Sequence, residues 1–384
     1  MKNIIIIHFL VILCTNNSMA QVYEGYSQLI DTTLTSKYLG FDKDITVTVP
    51  FEWQADVDRD FPLIIIFDRQ NPRSHGYIIN TIDYLTSNGQ MPASIIISVA
   101  SDEEHRLAET LHKVSSEDGL AKENEDFIFD ELIPLAENKY NASKFRVLIG
   151  HSRYGYFTSS LLFSRINEIN AIVSLSPFYT QKNVDLTDSI LKLENKQLNT
   201  RKYYRFGTGG DFPDGFHKMD SSLQLIKNPN FNAKGTLFKE AGHNVTPGLT
   251  IGSALYEIFE DWSELQNIYF ANEQLEVGII DSLSKEIIAS YGSELVFSLG
   301  VLNGKGWFFY GEKKYEKAIL AWELLLKHYP NFSEGYLYII EAKIQLKQDI
   351  LMTVNQFEKS IHESEIFSVE EKEELKKELE TLME

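Results

Sequence analysis

A serine, an aspartate and a histidine, in that chain order, are the residues whose types and spacing could do chemistry in this sequence. Arg146-Val-Leu-Ile-Gly150-His151-Ser152-Arg153-Tyr154-Gly155 passes from an apolar run through a Gly-x-Ser turn into a helical pattern. A tight turn between strand and helix holds a serine in a strained conformation with its hydroxyl clear of the sheet, where a base can make it a nucleophile. The amide that follows, on Arg153, would point at a developing oxyanion. His243 lies in Lys239-Glu-Ala-Gly-His243-Asn-Val-Thr-Pro247, just past the apolar Thr236-Leu-Phe238, where the base of a Ser, acid, His series falls. His151 is fixed within the turn, and His105, His112, His217 and His328 lack that placement. The acid belongs after the strand Tyr203-Tyr-Arg-Phe206, in Gly207-Thr-Gly-Gly-Asp211-Phe-Pro-Asp214. Asp211 is the first choice and Asp214 the second, although both also suit plain turns. A Ser–His dyad without an acid is the remaining arrangement.

The second oxyanion amide is expected from the loop Asp68-Arg69-Gln70, with Arg69 taken as the donor. Arg106 and Tyr154 are expected at the substrate, and Arg153 could join Arg106 in holding an anionic or polar group. Tyr154 stands where a G-x-S-x-G pattern has its second small residue, and Gly155 follows one step later. Three outcomes are open. Gly155 takes over the small-residue role, Tyr154 projects into the cleft, or the site has decayed.

The surrounding pattern supplies elements able to position these residues. Residues 44–50 alternate polar and apolar, as in a strand with one wet face. Residues 62–67, 94–99, 146–149 and 171–175 are short β-branched runs without alternation, which suit strands buried on both faces of a parallel sheet. Helical patterns fall between them at 78–85, 125–139 and 156–163. Strand and helix alternate to about residue 262, so an α/β domain with a mostly parallel sheet and helices on both faces is expected over 21–262.

Residues 263–384 are almost wholly helical in pattern. Ala318-Ile-Leu-Ala-Trp322 recurs 35 positions later as Thr353-Val-Asn-Gln-Phe357, and Pro330 follows the first of these helices. This spacing resembles tetratricopeptide (TPR) repeats; a plain helical bundle is the alternative. So few units cannot stand alone, so the region is expected to lean on the α/β domain or to bind a protein partner or a second copy of the chain.

The 384 residues carry 36 Lys plus Arg against 55 Asp plus Glu, a formal charge of −19, which argues against nucleic-acid binding and against anionic membrane surfaces. The single cysteine excludes a disulfide framework and a multi-Cys zinc site. Lys2, the apolar run 4–13 and Ser18-Met-Ala20 read as a secretory signal peptide over 1–20, cleaved after Ala20, which places the mature protein in the periplasm or outside the cell. Lipidation at Cys14 is disfavoured by the bulky Leu13. No run reaches the length of a transmembrane helix.

Over roughly residues 25–262 the chain resembles the putative esterase family of α/β-hydrolases, which includes esterase D, enterobactin-type siderophore esterases, feruloyl and acetyl-xylan esterases and mycolyl transferases. The resemblance is carried by Pro62-Leu-Ile-Ile-Ile-Phe-Asp68, Phe127-Ile-Phe-Asp-Glu-Leu-Ile-Pro134, Gly150-His-Ser152, Ser174-Leu-Ser-Pro177 and Gly242-His243. Arg69 after Asp68, Arg106-Leu-Ala-Glu-Thr-Leu-His112 and Tyr154 depart from the family pattern, and the helical extension lies outside it. The resemblance implies an α/β-hydrolase fold, Ser152 as nucleophile, His243 as base, and no metal or organic cofactor. The expectation is a secreted serine esterase acting on a small-molecule or glycan-linked ester. An inactive relative that binds a ligand or a protein, and an acyltransferase using the same serine, are the rivals.

Overall fold

The computed structural model describes residues 25–55, 59–274, 278–364 and 367–384. The leader expected over 1–20, its cleavage point and Cys14 lie outside the described residues. Eight strands form one sheet: β1 (Tyr26–Thr35), β2 (Asp42–Pro50), β3 (Phe61–Phe67), β4 (Ile95–Val99), β5 (Ala142–His151), β6 (Ala171–Leu175), β9 (Lys202–Gly209) and β10 (Phe231–Phe238). A separate two-stranded ladder, β7 (Thr180–Gln181) and β8 (Val184–Asp185), lies between β6 and β9 in sequence. The order across the large sheet is β1-β2-β4-β3-β5-β6-β9-β10. β1, β2 and β4 pair antiparallel and the remaining pairs are parallel. This is the mostly parallel α/β-hydrolase arrangement, followed by an all-helical C-terminal region.

The central strands are apolar throughout because they face two cores. Ile64 and Ile66 of β3, Val147 and Ile149 of β5 and Val173 of β6 face one core. Leu63, Ile65 and Phe67, Leu148 and Ile172 alternate with them and face the other. The first core does not stop at the α/β part. It runs on through Trp262, Tyr291, Trp322 and Tyr329, so the C-terminal helices share apolar packing with one face of the sheet. Tyr291 is a joint in that contact. Its ring meets Phe145 of β5 at 5.7 Å, and its hydroxyl accepts from the Trp262 amide at 3.0 Å.

The C-terminal region contains helices Ile279–Tyr291, Leu299–Gly311, Tyr315–His328, Glu334–Gln345, Leu351–Glu363 and Val369–Met383. Ala318 and Trp322, and Thr353 and Phe357, are buried at corresponding places. The turn after Leu299–Gly311 closes with bonds from the Lys313 amide to Tyr310 O and from the Lys314 amide to Phe309 O. The turn after Glu334–Gln345 repeats them, from Lys347 to Ile344 and from Gln348 to Lys343. Both are left-handed helix stops of the Schellman type, 34 positions apart. No helix among the described residues is long and apolar enough to cross a membrane.

Candidate active site

The parallel strands β3, β5, β6 and β9 end at one edge of the sheet, and the loops there assemble a cleft of about 370 Å³. Gln70, Asn71, Ser101, Asp102, Arg106, His151, Ser152 and His243 are among its walls. Ser152 follows β5 directly and caps the helix Arg153–Ser164, with φ 58° and ψ −113°. A serine in that region is strained, and two bonds hold it: its amide donates to Leu175 O at 2.8 Å and its carbonyl accepts from Tyr156 at 3.0 Å. The strand and helix on either side leave no room for side chains. A Cβ on Gly150 would lie 2.2 Å from Tyr154 O, and one on Gly155 would meet Leu175 O at 3.2 Å and Gly150 O at 3.3 Å. Gly155 therefore takes the small-residue role, the first of the three open outcomes.

Tyr154 does not line the cleft, contrary to its expected substrate role. It is fully buried, stacked on Phe67 at 4.6 Å, with its hydroxyl bonded to Glu109 and Ser101. The helix that starts at Arg153 turns this side chain down into the core beneath the serine rather than out of it. Burial and the Glu109 charge push its phenol far above the usual range, so it stays a donor.

His243 opens a short turn after β10, and its Nδ1 lies 2.5 Å from Asp211 Oδ2. The two loops are tied by the Gly210 amide, which donates to Ala241 O at 2.9 Å. The Ser176 hydroxyl, donating to Thr246 at 2.8 Å, fixes the far side of the histidine loop. Asp214 is exposed in the first turn of the helix Pro213–Gln224 and is not brought to His243. With Nδ1 taken by Asp211, Nε2 is the nitrogen left for proton transfer. Among the described residues the Ser152 hydroxyl makes no hydrogen bond. His151 packs its ring on His243 at 4.8 Å and its Nε2 lies 3.3 Å from the His243 carbonyl. Burial, aided by His243, lowers the pKa of His151, so the neighbour of the candidate base favours its neutral form.

The amide expected to complete the oxyanion pocket needs correction. Asp68 has φ 63°, and this turns the Arg69 amide back onto Val99 O at 3.1 Å, where it continues the sheet pairing. The Arg69 guanidinium is also engaged, with Asp31 at 2.5 Å and with Thr46. The next amide, that of Gln70, has no partner among the described residues, and Gln70 lines the cleft. The Arg153 amide, at the first position of its helix, has no intrahelical acceptor. The side chain of Arg153 lies over the Phe178 ring at 5.9 Å, and burial together with Arg106 lowers its pKa. Arg106 does line the cleft. It grips the buried Asp68 with two bonds of 2.7 Å, which raise its pKa.

Sequence reasoning assigned no role to the side chains of Asp68 and His151, although both were placed in the loop and turn of the site, and it passed over Ser101 and Glu109. These roles depend on contacts across long stretches of chain. No cluster of metal-ligating residues occurs among the described residues.

Residues 36–222 match the model of the family described as Putative esterase. The match supports an esterase. The matched segment holds Ser152 and Asp211 and ends before His243. No curated protein matches the sequence. Among solved structures, the chain is similar to an IroE-like serine hydrolase from Shewanella oneidensis, with a TM-score of 0.61 at 15% identity over 78% of this chain and 99% of that one. An uncharacterised protein from Capnocytophaga ochracea gives 0.58 at 15% identity, over 86% of this chain and 93% of that one. The BES protein from Bacillus cereus gives 0.53 at 19% identity, over 62% and 97%. These likenesses show the fold. The first two cover more of the chain than the esterase-like α/β part alone supplies.

Proposed function

We infer that the protein is a serine esterase in which Ser152, His243 and Asp211 act together. The observation that carries this reading is the Asp211–His243 bond beside a serine in a strained elbow, all at the carboxyl edge of the sheet. Ser152 Oγ attacks the acyl carbon of an ester while His243 Nε2 takes its proton. The carbonyl oxygen becomes an oxyanion held by the amides of Arg153 and Gln70. His243 returns the proton to the departing alcohol, leaving an acyl-serine. Water, activated by the same imidazole, releases the acid and restores Ser152. Asp211 fixes the tautomer and steadies the imidazolium.

The apolar run 4–13 supports export of this enzyme, and the 34-residue repeat of the helix stops supports TPR-like pairs in the C-terminal region that dock a protein or a second copy of the chain. Hydrolysis of short-chain p-nitrophenyl esters by the wild type and by Ser152→Ala tests the reading. The variant should lose at least ~10³-fold in kcat, in keeping with a serine acting as part of a unit. Equal rates would remove Ser152 from the mechanism. The unbonded Ser152 hydroxyl favours a second reading, a non-catalytic relative that binds through its cleft or helices. That protein would leave a fluorophosphonate probe unreacted.

A further inference from the structure

Tyr154 occupies a place in the elbow where a small residue is usual, and the space beneath it holds an ionic cluster. Lys43 Nζ lies 2.6 Å from Glu109 Oε1, with both side chains buried. Ser101 Oγ donates to Glu109 Oε2 at 2.6 Å and lies 2.8 Å from the Tyr154 hydroxyl, which also donates to Glu109. Replacing a buried ion pair by apolar packing is often neutral or stabilising, so stability alone gives no reason for one here.

The cluster continues to the other side of the cleft. The Ser101 amide donates to Gln70 Oε1 at 2.9 Å, and Gln70 Nε2 donates to Asp68 Oδ1 at 2.9 Å. Asp68 is the residue that Arg106 grips. Arg106 and Glu109 are the first and last residues of a single helical turn, Arg106–Glu109. One end of that turn thus holds the loop that presents the Gln70 amide. The other end holds the side chain next to Arg153.

We propose that the turn Arg106–Glu109, together with Ser101, is a brace that sets the separation of the two oxyanion amides. Arg106 positions Gln70 through Asp68, and Glu109 positions Arg153 through Tyr154. Oxyanion donors act only when they are already placed for the anion, and a misplacement of about 1 Å can cost about 100-fold in rate. Tyr154, Ser101 and Glu109 are positioning residues; they act through the amides. The inference rests on the esterase reading of Ser152 and gives the departure at Tyr154 a purpose.

Tyr154→Phe keeps the ring on Phe67 and removes one hydroxyl; Ser101→Ala removes the other link. Both leave the Lys43–Glu109 pair intact, whereas Glu109→Gln would endanger folding. In p-nitrophenyl ester hydrolysis each variant should lose about 10- to 100-fold in kcat with KM unchanged. Affinity for a boronic acid, which mimics the tetrahedral anion, should weaken by the factor lost in kcat/KM. Unchanged kcat per fluorophosphonate-labelled site and unchanged boronate affinity in both variants would overturn the brace. Hydrogen–deuterium exchange tests it without turnover. In Tyr154→Phe, exchange should rise together in 68–71 and 152–155, and a rise confined to one segment would overturn it. A wild type without esterase activity but with coupled exchange would refute the function and retain the brace.

Discussion

Asp68, Ser152 and Ser176 in the α/β part, and Lys313 and Lys347 in the helical part, are all non-glycine residues with positive φ. All five leave the backbone conformations that non-glycine residues prefer, yet the settings differ. Asp68 and Ser176 are buried and spend their side chains on Arg106 and Thr246, while Ser152 stands at the cleft. Lys313 and Lys347 are exposed and only end helices. Around the sheet edge, strain is held in place by specific polar bonds. Among the helices it is tolerated at turns where the side chain has nothing to do. The same division appears in the packing. The site loops enclose Lys43, Glu109, Asp68 and Arg106, whereas the helical core is built on rings, with Trp307, Trp322 and Tyr338 meeting at 4.9–5.5 Å. Polar identity therefore governs function in one region, and apolar volume governs stability in the other.

The largest expected effect tests the first half of that division. Asp211→Asn preserves shape but lets the amide favour the wrong imidazole tautomer, so kcat for ester hydrolysis should fall by about 10²- to 10⁴-fold. Thermal stability should stay near that of the wild type, because the Asp211 side chain is on the surface side of the cleft and about 21% exposed. A fall in melting temperature that accounts for the lost activity would erase the distinction between the regions. Full activity would reduce the site to a Ser–His dyad.

Much of the frame that carries this site can be read from sequence. β3, β4, β5 and β6 announce themselves because burial on both faces removes alternation. β1 escaped notice because it is an edge strand with polar residues on an open face. The serine turn is visible because its glycines sit in contact with backbone close by in sequence. Which amide of 68–70 faces the cleft is not visible, since it follows from a left-handed Asp68, and although aspartate adopts positive φ more readily than most residues, residue type alone does not mark which aspartate does so. The destination of Tyr154 is equally hidden, because its partners Ser101 and Glu109 are 53 and 45 positions away. In the helices the near-34 period is legible, but the core shared with β3 and β5 is not, because it joins residues as far apart as Phe145 and Tyr291, 146 positions.

That shared core gives the second prediction, in stability rather than rate. Trp322 is fully buried, meets Trp307 edge-on at 5.1 Å and is bonded through Nε1 to Asn303 at 3.0 Å. Trp322→Ala should cost about 3–5 kcal/mol. Because the apolar packing runs unbroken from Trp322 to the sheet, the loss should lower one cooperative transition followed by calorimetry. A new, separate transition for the helices would mean that they fold as an independent unit. The kcat per labelled serine in the folded variant should be unchanged.

The smallest effect is the sharpest test, because one substitution is made in both regions. Glycine adopts positive φ without the penalty of about 1–2 kcal/mol borne by other residues, but loses about 0.5–1 kcal/mol more chain entropy on folding. At Lys347 the side chain is exposed and its turn is held by backbone bonds alone, so Lys347→Gly should stabilise the protein by about 0.5–1 kcal/mol. At Asp68 the same relief of strain comes with the loss of two bonds from Arg106 and one from Gln70. Bonds to charged groups contribute about 1.5–3 kcal/mol each when buried, but the partly exposed Arg106 regains water in their place, so Asp68→Gly should destabilise by about 1–3 kcal/mol net, and should lower kcat as the Gln70 loop loosens. Denaturant unfolding of the two variants gives opposite signs if side chains hold the strain at the sheet edge. Equal and favourable shifts would mean that the Asp68 conformation is as incidental as that of a helix stop, and the polar bonds around it would lose their claim to position anything.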